Sequence, residues 1–195
     1  MIASLRDRLA ARRRRVLERS RRAAVLVPIV EDGGAPRLIL TRRTDDLPTH
    51  AGQVAFPGGL MEPGEVDPAG TALREAEEEI GLPADAVEVL GRLDDFPTRT
   101  DEVAVTPVVG LLRAVPPLRA RAAEVARIFD IPIAELTQAG RWTWREERRG
   151  EMRLTIYYFE HQGETLWGLS ARIVLHLLEV SELGSPVPLR LPEYA

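Results

Sequence analysis

Glu75, Glu78 and Glu79 stand at i, i+3 and i+4 in the run ALREAEEEIG. On a helix, that spacing puts three carboxylates on one face, with Cβ atoms about 5–6 Å apart. Like charges so close repel, so the face needs a counter-charge. Carboxylate oxygens are hard donors that suit Mg²⁺ or Mn²⁺, and a divalent ion there could neutralise the cluster and acidify bound water. Taken alone, such a run is more often a solvated acidic face, and Glu77 reads as surface. Arg74 precedes the cluster and points off its face, placed to orient carboxylates by an ion pair. Upstream, Gly58-Gly59 ends a short apolar run. Glycine admits close backbone approach, so the Gly59 carbonyl is a candidate to complete a metal shell and Gly58 a candidate substrate contact.

The context favours chemistry over the solvated face. The stretch GLMEPGEVDPAGTALREAEEEIGL, residues 59–82, resembles the signature of the Nudix hydrolase superfamily. Arg74, Glu75, Ala76, Glu78, Glu79, Gly81 and Leu82 match its second half. Gly59 and Glu65 match the first half, but eight residues separate Glu65 from Arg74 where the signature has seven. One extra loop residue is cheap and bears only on the role of Glu65. Upstream, LILTRRTDDLPTHAGQVAFPGG, residues 38–59, resembles the additional signature of the coenzyme A pyrophosphatase branch.

That resemblance implies an α/β/α sandwich around a mixed sheet, an α/β (α+β) fold. It implies hydrolysis of the diphosphate of coenzyme A or an acyl-CoA to 4′-phosphopantetheine and adenosine 3′,5′-bisphosphate. Glu75, Glu78 and Glu79 would be the metal ligands, with Mg²⁺ or Mn²⁺ as cofactor. Many family members use a further Glu from a later loop as ligand or base, and Glu124 is the candidate here. His50 and Gln53, in the branch-specific loop, are candidate substrate contacts. Arg42 is taken as the candidate for the 3′-phosphate, through a bidentate guanidinium fork. Strand alternation should turn Arg42 and Arg43 to opposite faces, so one of the two is expected at the site. The competing substrates are ADP-ribose or NADH. A nucleotide-sensing module without activity would be expected to lose carboxylates that this chain keeps.

The elements that must position these residues alternate as in a mixed α/β chain. A helix is expected over 3–21, strands over 23–30, 36–43 and 53–56, and the acidic helix over 71–81 with Gly81 as its stop. Strands follow at 87–96 and 103–112, then a short helix at 121–129. Residues 141–149 and 151–161 alternate around Gly150 as a hairpin. A last strand precedes a C-terminal helix at 169–182 with Ser170 as a possible cap. Trp142, Trp144, Tyr157, Tyr158 and Trp167 read as hairpin and core packing.

The chain of 195 residues divides on this reading into an Arg-rich helix (1–22), a catalytic domain (23–183) and a tail (184–195). It has no cysteine, which excludes disulfides, thiolate metal sites and a cysteine nucleophile. All 26 basic residues are arginine and the net charge is −4. Nine arginines against Asp7 and Glu18 give residues 1–23 a local +7, which leaves −11 for the rest. Such a stretch invites a nucleic-acid or membrane reading. The plainer expectation is a helix whose Ile2, Leu5, Leu9 and Val16 pack on the body, with no nucleic-acid partner. No apolar run approaches the roughly 20 residues of a membrane span, and the expected location is cytoplasmic. Oligomeric state is open at this level.

Overall fold

The computed structural model describes residues 2–98, 100–149, 152–190 and 193–194. Its elements are α1 (Ile2–Ala11), β1 (Arg21–Val30), β2 (Arg37–Arg43), β3 (Val54–Ala55), β4 (Gly58–Leu60), α2 (Pro68–Ile80), β5 (Glu88–Arg92), β6 (Phe96–Pro97) and β7 (Val103–Leu112). There follow β8 (Val125–Pro132), α3 (Ile133–Leu136), β9 (Trp142–Arg149), β10 (Met152–His161), β11 (Glu164–Trp167), α4 (Gly168–Val180) and β12 (Glu193–Tyr194).

The larger sheet runs β3-β2-β1-β7-β5, with β4 on β1, β6 on β7 and β8 on β2. Among the described residues, only β1 and β7 pair in parallel, across ten residues from Arg21↔Val103 to Val30↔Leu112. The remaining pairs are antiparallel, so the sheet is mixed. Alternation along the strands sends two apolar sets to opposite faces. Ala24 and Leu26 of β1 meet Ala72, Ala76 and Ile80 of α2 on one face. Val27 and Ile29 meet Leu5 and Leu9 of α1 and Ile173, Val174 and Leu177 of α4 on the other. The smaller sheet, β9 and β10 with β11 and β12, closes over that second face through Trp142, Tyr157 and Phe159. The expected sandwich with a mixed sheet is therefore present.

The helix expected over 121–129 does not form: Val125–Pro132 is strand β8 on β2, from Arg37↔Pro132 to Arg43↔Val125. Helix propensity in RAAEVARIF rests on its Ala, Arg and Glu residues and is a weak local preference. The open edge of β2 and burial of Val125, Phe129 and Ile131 override it. The N-terminal helix is also shorter than expected. It ends at Ala11, and Arg12–Arg15 leave the helix, where four adjacent guanidinium groups would repel. Extended, this stretch turns backbone N–H groups outward, and those of Arg15 and Leu17 bind Asp94 Oδ1 (2.8 Å) and Asp95 Oδ2 (2.9 Å). Leu5 and Leu9 are buried as expected, but Val16 is exposed; the side chain of Ile2 lies outside the described residues. Ser170 sits inside α4 rather than capping it, because the helix starts at Gly168 behind Trp167. No described helix is long and apolar enough to cross a membrane.

Candidate active site

Helix α2 starts at Pro68, whose fixed φ suits a first helical position. Asp67 caps it, accepting from the N–H of Ala69 at 2.9 Å, and Arg92 pairs with the same carboxylate. Ala72, Ala76 and Ile80 bury one stripe of the helix in the core. Glu75 and Glu79 flank that stripe, so they turn toward the sheet, against β4.

Strand β4 brings Gly58 and Gly59 opposite Val25 and Ala24 of β1. The Gly58 N–H donates to Glu79 Oε2 at 3.2 Å. Neither glycine has room for a side chain. A Cβ on Gly58 would lie 2.4 Å from the Ala24 carbonyl oxygen, and one on Gly59 would lie 2.4 Å from Glu75 Oε1. The two glycines are what allow α2 carboxylates to press against backbone.

The charges are unevenly satisfied. Glu79 is 4% exposed, and among the described residues its one cation within 4 Å is Arg43, with Nη1 3.7 Å from Oε1. Burial drives its carboxyl from an ordinary 4.5 up to about 7, with Glu75 and Glu124 adding repulsion against the pull of the Gly58 N–H and Arg43. Burial also raises Glu75, opposed by Arg74 and reinforced by Glu78 and Glu124. Arg74 binds Glu75 at 2.9 Å and Glu78 at 3.3 Å through Nη1, and Glu65 at 3.1 Å through Nε. Glu65 also accepts from Thr71 Oγ1 at 2.8 Å and the Glu62 N–H at 2.7 Å. These bonds, Arg74 first, hold it down at about 2. The longer loop before α2 thus leaves Glu65 within reach of Arg74.

Glu124, in the segment before β8, lies near enough to repel Glu75 and Glu79. Its carbonyl accepts from Thr44 N–H at 3.0 Å and its carboxylate pairs with Arg121 at 3.1 Å. Among the described residues, no three acidic or imidazole side chains converge closely enough to grip one ion as they lie. The guanidinium of Arg74 stands between Glu75 and Glu78. The chemistry of the set nonetheless fits a divalent cation: carboxylates that repel one another, Glu79 buried with Arg43 no nearer than 3.7 Å and Glu75 half-buried beside it.

The order Gly58-Gly59, Glu65, Arg74-Glu75, Glu78-Glu79 is thus folded into one constellation, and a NUDIX domain family model matches the chain over residues 20–147. The chain belongs to the Nudix hydrolases. It is 42% identical over 160 residues to a Yersinia enterocolitica protein named Uncharacterized Nudix hydrolase NudL, across 82% of this chain and 81% of the relative. A protein of the same name from Yersinia pestis (strain Pestoides F) is also 42% identical over 160 residues, covering 82% and 79%. A solved MutT/nudix family protein from Enterococcus faecalis aligns with a TM-score of 0.52 at 16% identity, over 92% of this chain and 68% of that one. That likeness speaks for the fold.

Beside the Nudix helix, the structure sorts the other sequence-derived candidates. Arg42 turns to Asp45 (2.7 Å) and Glu164 (3.5 Å), away from the carboxylates. Arg43 is the one that faces Glu79, and its Nε is buried without a hydrogen-bond partner. Strict alternation could have chosen either; a shift in the β2–β8 register between Arg42 and Arg43 accompanies the choice. His50, in the left-handed region at φ 59°, pairs with Gln53 through Nδ1 and Oε1 at 2.8 Å. Both stay on the exposed loop, linked to Arg43 through the backbone bond from its N–H to the Gln53 carbonyl, 2.9 Å. Asp94 and Asp95 drew no attention in the sequence. They are the carboxylates that hold the Arg-rich N-terminal segment to the body, and Asp95 is fully buried with Arg14 at 2.7 Å and Thr106 at 2.7 Å.

Proposed function

We propose that this Nudix hydrolase cleaves the diphosphate bond of coenzyme A or an acyl-CoA, giving 4′-phosphopantetheine and adenosine 3′,5′-bisphosphate. The observation that carries the reading is the union of two segments. The one resembling the coenzyme A pyrophosphatase signature, 38–59, supplies Arg43, Gly58 and Gly59, and these abut Glu75 and Glu79 of the Nudix helix. Glu75, Glu78 and Glu79, with the Gly59 carbonyl, would hold Mg²⁺ or Mn²⁺. When bound, such ions supply charge neutralisation for the diphosphate and acidify water.

The chain's own residues do the rest. The Gly58 N–H fixes Glu79 Oε2, and Arg74, anchored by Glu65, fixes Glu75 and Glu78. Arg43, partly exposed beside Glu79, would offer its terminal guanidinium nitrogens to a phosphate oxygen. Water attacks one phosphorus, the bond from that phosphorus to the bridging oxygen breaks, and the bridging oxygen leaves with the other phosphate. Glu124, whose charge already bears on Glu75 and Glu79, is the candidate to take the water's proton. A panel of coenzyme A, acyl-CoA, ADP-ribose and NADH with Mg²⁺ or Mn²⁺, with products identified by mass, tests the proposal. Coenzyme A should give the two phosphomonoesters at the highest kcat/KM; preferential cleavage of ADP-ribose or NADH would overturn it.

A further inference from the structure

On the sheet face opposite α2, the N-terminal segment crosses α4, and the charges at this seam do not balance. Arg172 of α4 is 9% exposed, and both its Nε and Nη2 lack a hydrogen-bond partner. Its guanidinium carbon lies 5.3 Å above the Phe96 ring. The like charge of Arg15 adds to the penalty of burying it. His176 is one helical turn further on the same face of α4 and meets the same Phe96 ring edge-on at 5.8 Å. Arg12 approaches His176 Nε2 to 3.4 Å through Nη2, while its Nη1 is buried without a partner.

The carboxylates nearby are already engaged. Asp94 takes Arg12 at 2.6 Å and His176 at 3.4 Å; Asp95 takes Arg14 at 2.7 Å; Glu179 lies 3.6 Å from His176. Among the described residues, the Arg15 guanidinium donates only to the Asp95 carbonyl, at 3.4 Å. The guanidinium groups of Arg15 and Arg172 are thus left with no carboxylate among the described residues. A buried guanidinium without an anion is costly. The unpartnered pair on Arg172, Nε and one terminal nitrogen, is the edge that makes a bidentate fork to an oxyanion.

We propose that this seam binds a tetrahedral oxyanion, a phosphate either free or as a monoester, held by Arg172, Arg12 and Arg15. Donors from separate guanidinium groups demand more acceptor oxygens than one carboxylate offers, and two uncompensated positive charges match a dianion. Arg15 is exposed and would be the first of the three to meet an anion from solvent. Bound there, the anion would tie the N-terminal segment to α4, away from the carboxylate site.

The test uses the full chain in EDTA, followed by thermal unfolding with inorganic phosphate at constant ionic strength, against chloride. Above the dissociation constant, each tenfold rise in phosphate should lift the midpoint by roughly 3–6 °C. Arg172→Met should abolish that rise and be no less stable than wild type in chloride, since it removes an uncompensated buried charge. Should Arg172→Met fail to fold, Arg15→Gln decides: it should weaken phosphate about tenfold or more. Adenosine 5′-monophosphate in place of phosphate distinguishes a monoester from the free ion, and a saturable effect of either supports the site. Absence of any phosphate effect beyond chloride overturns the proposal. So does an effect that survives Arg15→Gln but disappears in Arg43→Gln, which would place the anion at the carboxylate site.

Discussion

Replacing Glu79 with glutamine removes one negative charge from a buried cluster while keeping an acceptor for the Gly58 N–H. In metal-free protein the carboxyl sits at about 7 instead of 4.5. One unit corresponds to about 1.4 kcal/mol, so its ionisation costs the fold about 3 kcal/mol. The sign follows from linkage. Below about pH 4.5 the group is protonated in both folded and unfolded chains and costs nothing. As pH rises through about 7, the unfolded chain has already released the proton that the fold retains, and stability is lost. The assay is urea or thermal unfolding in EDTA at pH values between 5 and 8, comparing wild type with Glu79→Gln. Groups that titrate in both proteins, His176 among them, cancel in the difference. The variant should gain on wild type as pH rises, approaching about 3 kcal/mol, or roughly 6–12 °C for a chain of this size. Mg²⁺ or Mn²⁺ should recover the loss in wild type and do much less for the variant. A difference that stays flat from pH 5 to 8 would refute the claim that Glu79 is an uncompensated buried carboxylate.

Four further outcomes follow from the same geometry. Glu75→Gln and Glu79→Gln should each abolish most activity at saturating metal while remaining folded by circular dichroism; full turnover would remove that residue from the site. Gly59→Ala places a methyl on the Glu75 carboxylate, 2.4 Å from Oε1, so kcat should fall at least about tenfold as Glu75 is displaced; an unchanged rate would show that this contact does not matter. Dephospho-CoA should have a kcat/KM about one to two decades below coenzyme A, mainly through KM, for one lost charge-assisted contact; equal values would mean the 3′-phosphate is not recognised. Asp95→Ala strands Arg14 and the Leu17 N–H and should destabilise by about 3 kcal/mol in urea; a neutral effect would show that the N-terminal segment is not integral to the fold.

Local spacing made much of the site legible. Glu75, Glu78 and Glu79 face together because a helix repeats every 3.6 residues, and the glycine pair announces close backbone approach; neither needs tertiary information. The strands at 23–30, 36–43 and 103–112 were legible too, because β-branched runs bounded by turns carry their own signal. Pairing was not. RAAEVARIF looks helical through its Ala, Arg and Glu residues, and only the open edge of β2 draws Val125–Pro132 into a strand. The same edge, with its shift between Arg42 and Arg43, turns Arg43 to Glu79, a choice that neighbouring residues of identical type cannot express in sequence. Nor could sequence show that Arg12, Arg14 and Arg19 answer to Asp94, Asp95 and Asp101, about eighty residues away. Charge on a chain is local, but its compensation is decided by which distant carboxylates folding buries beside it.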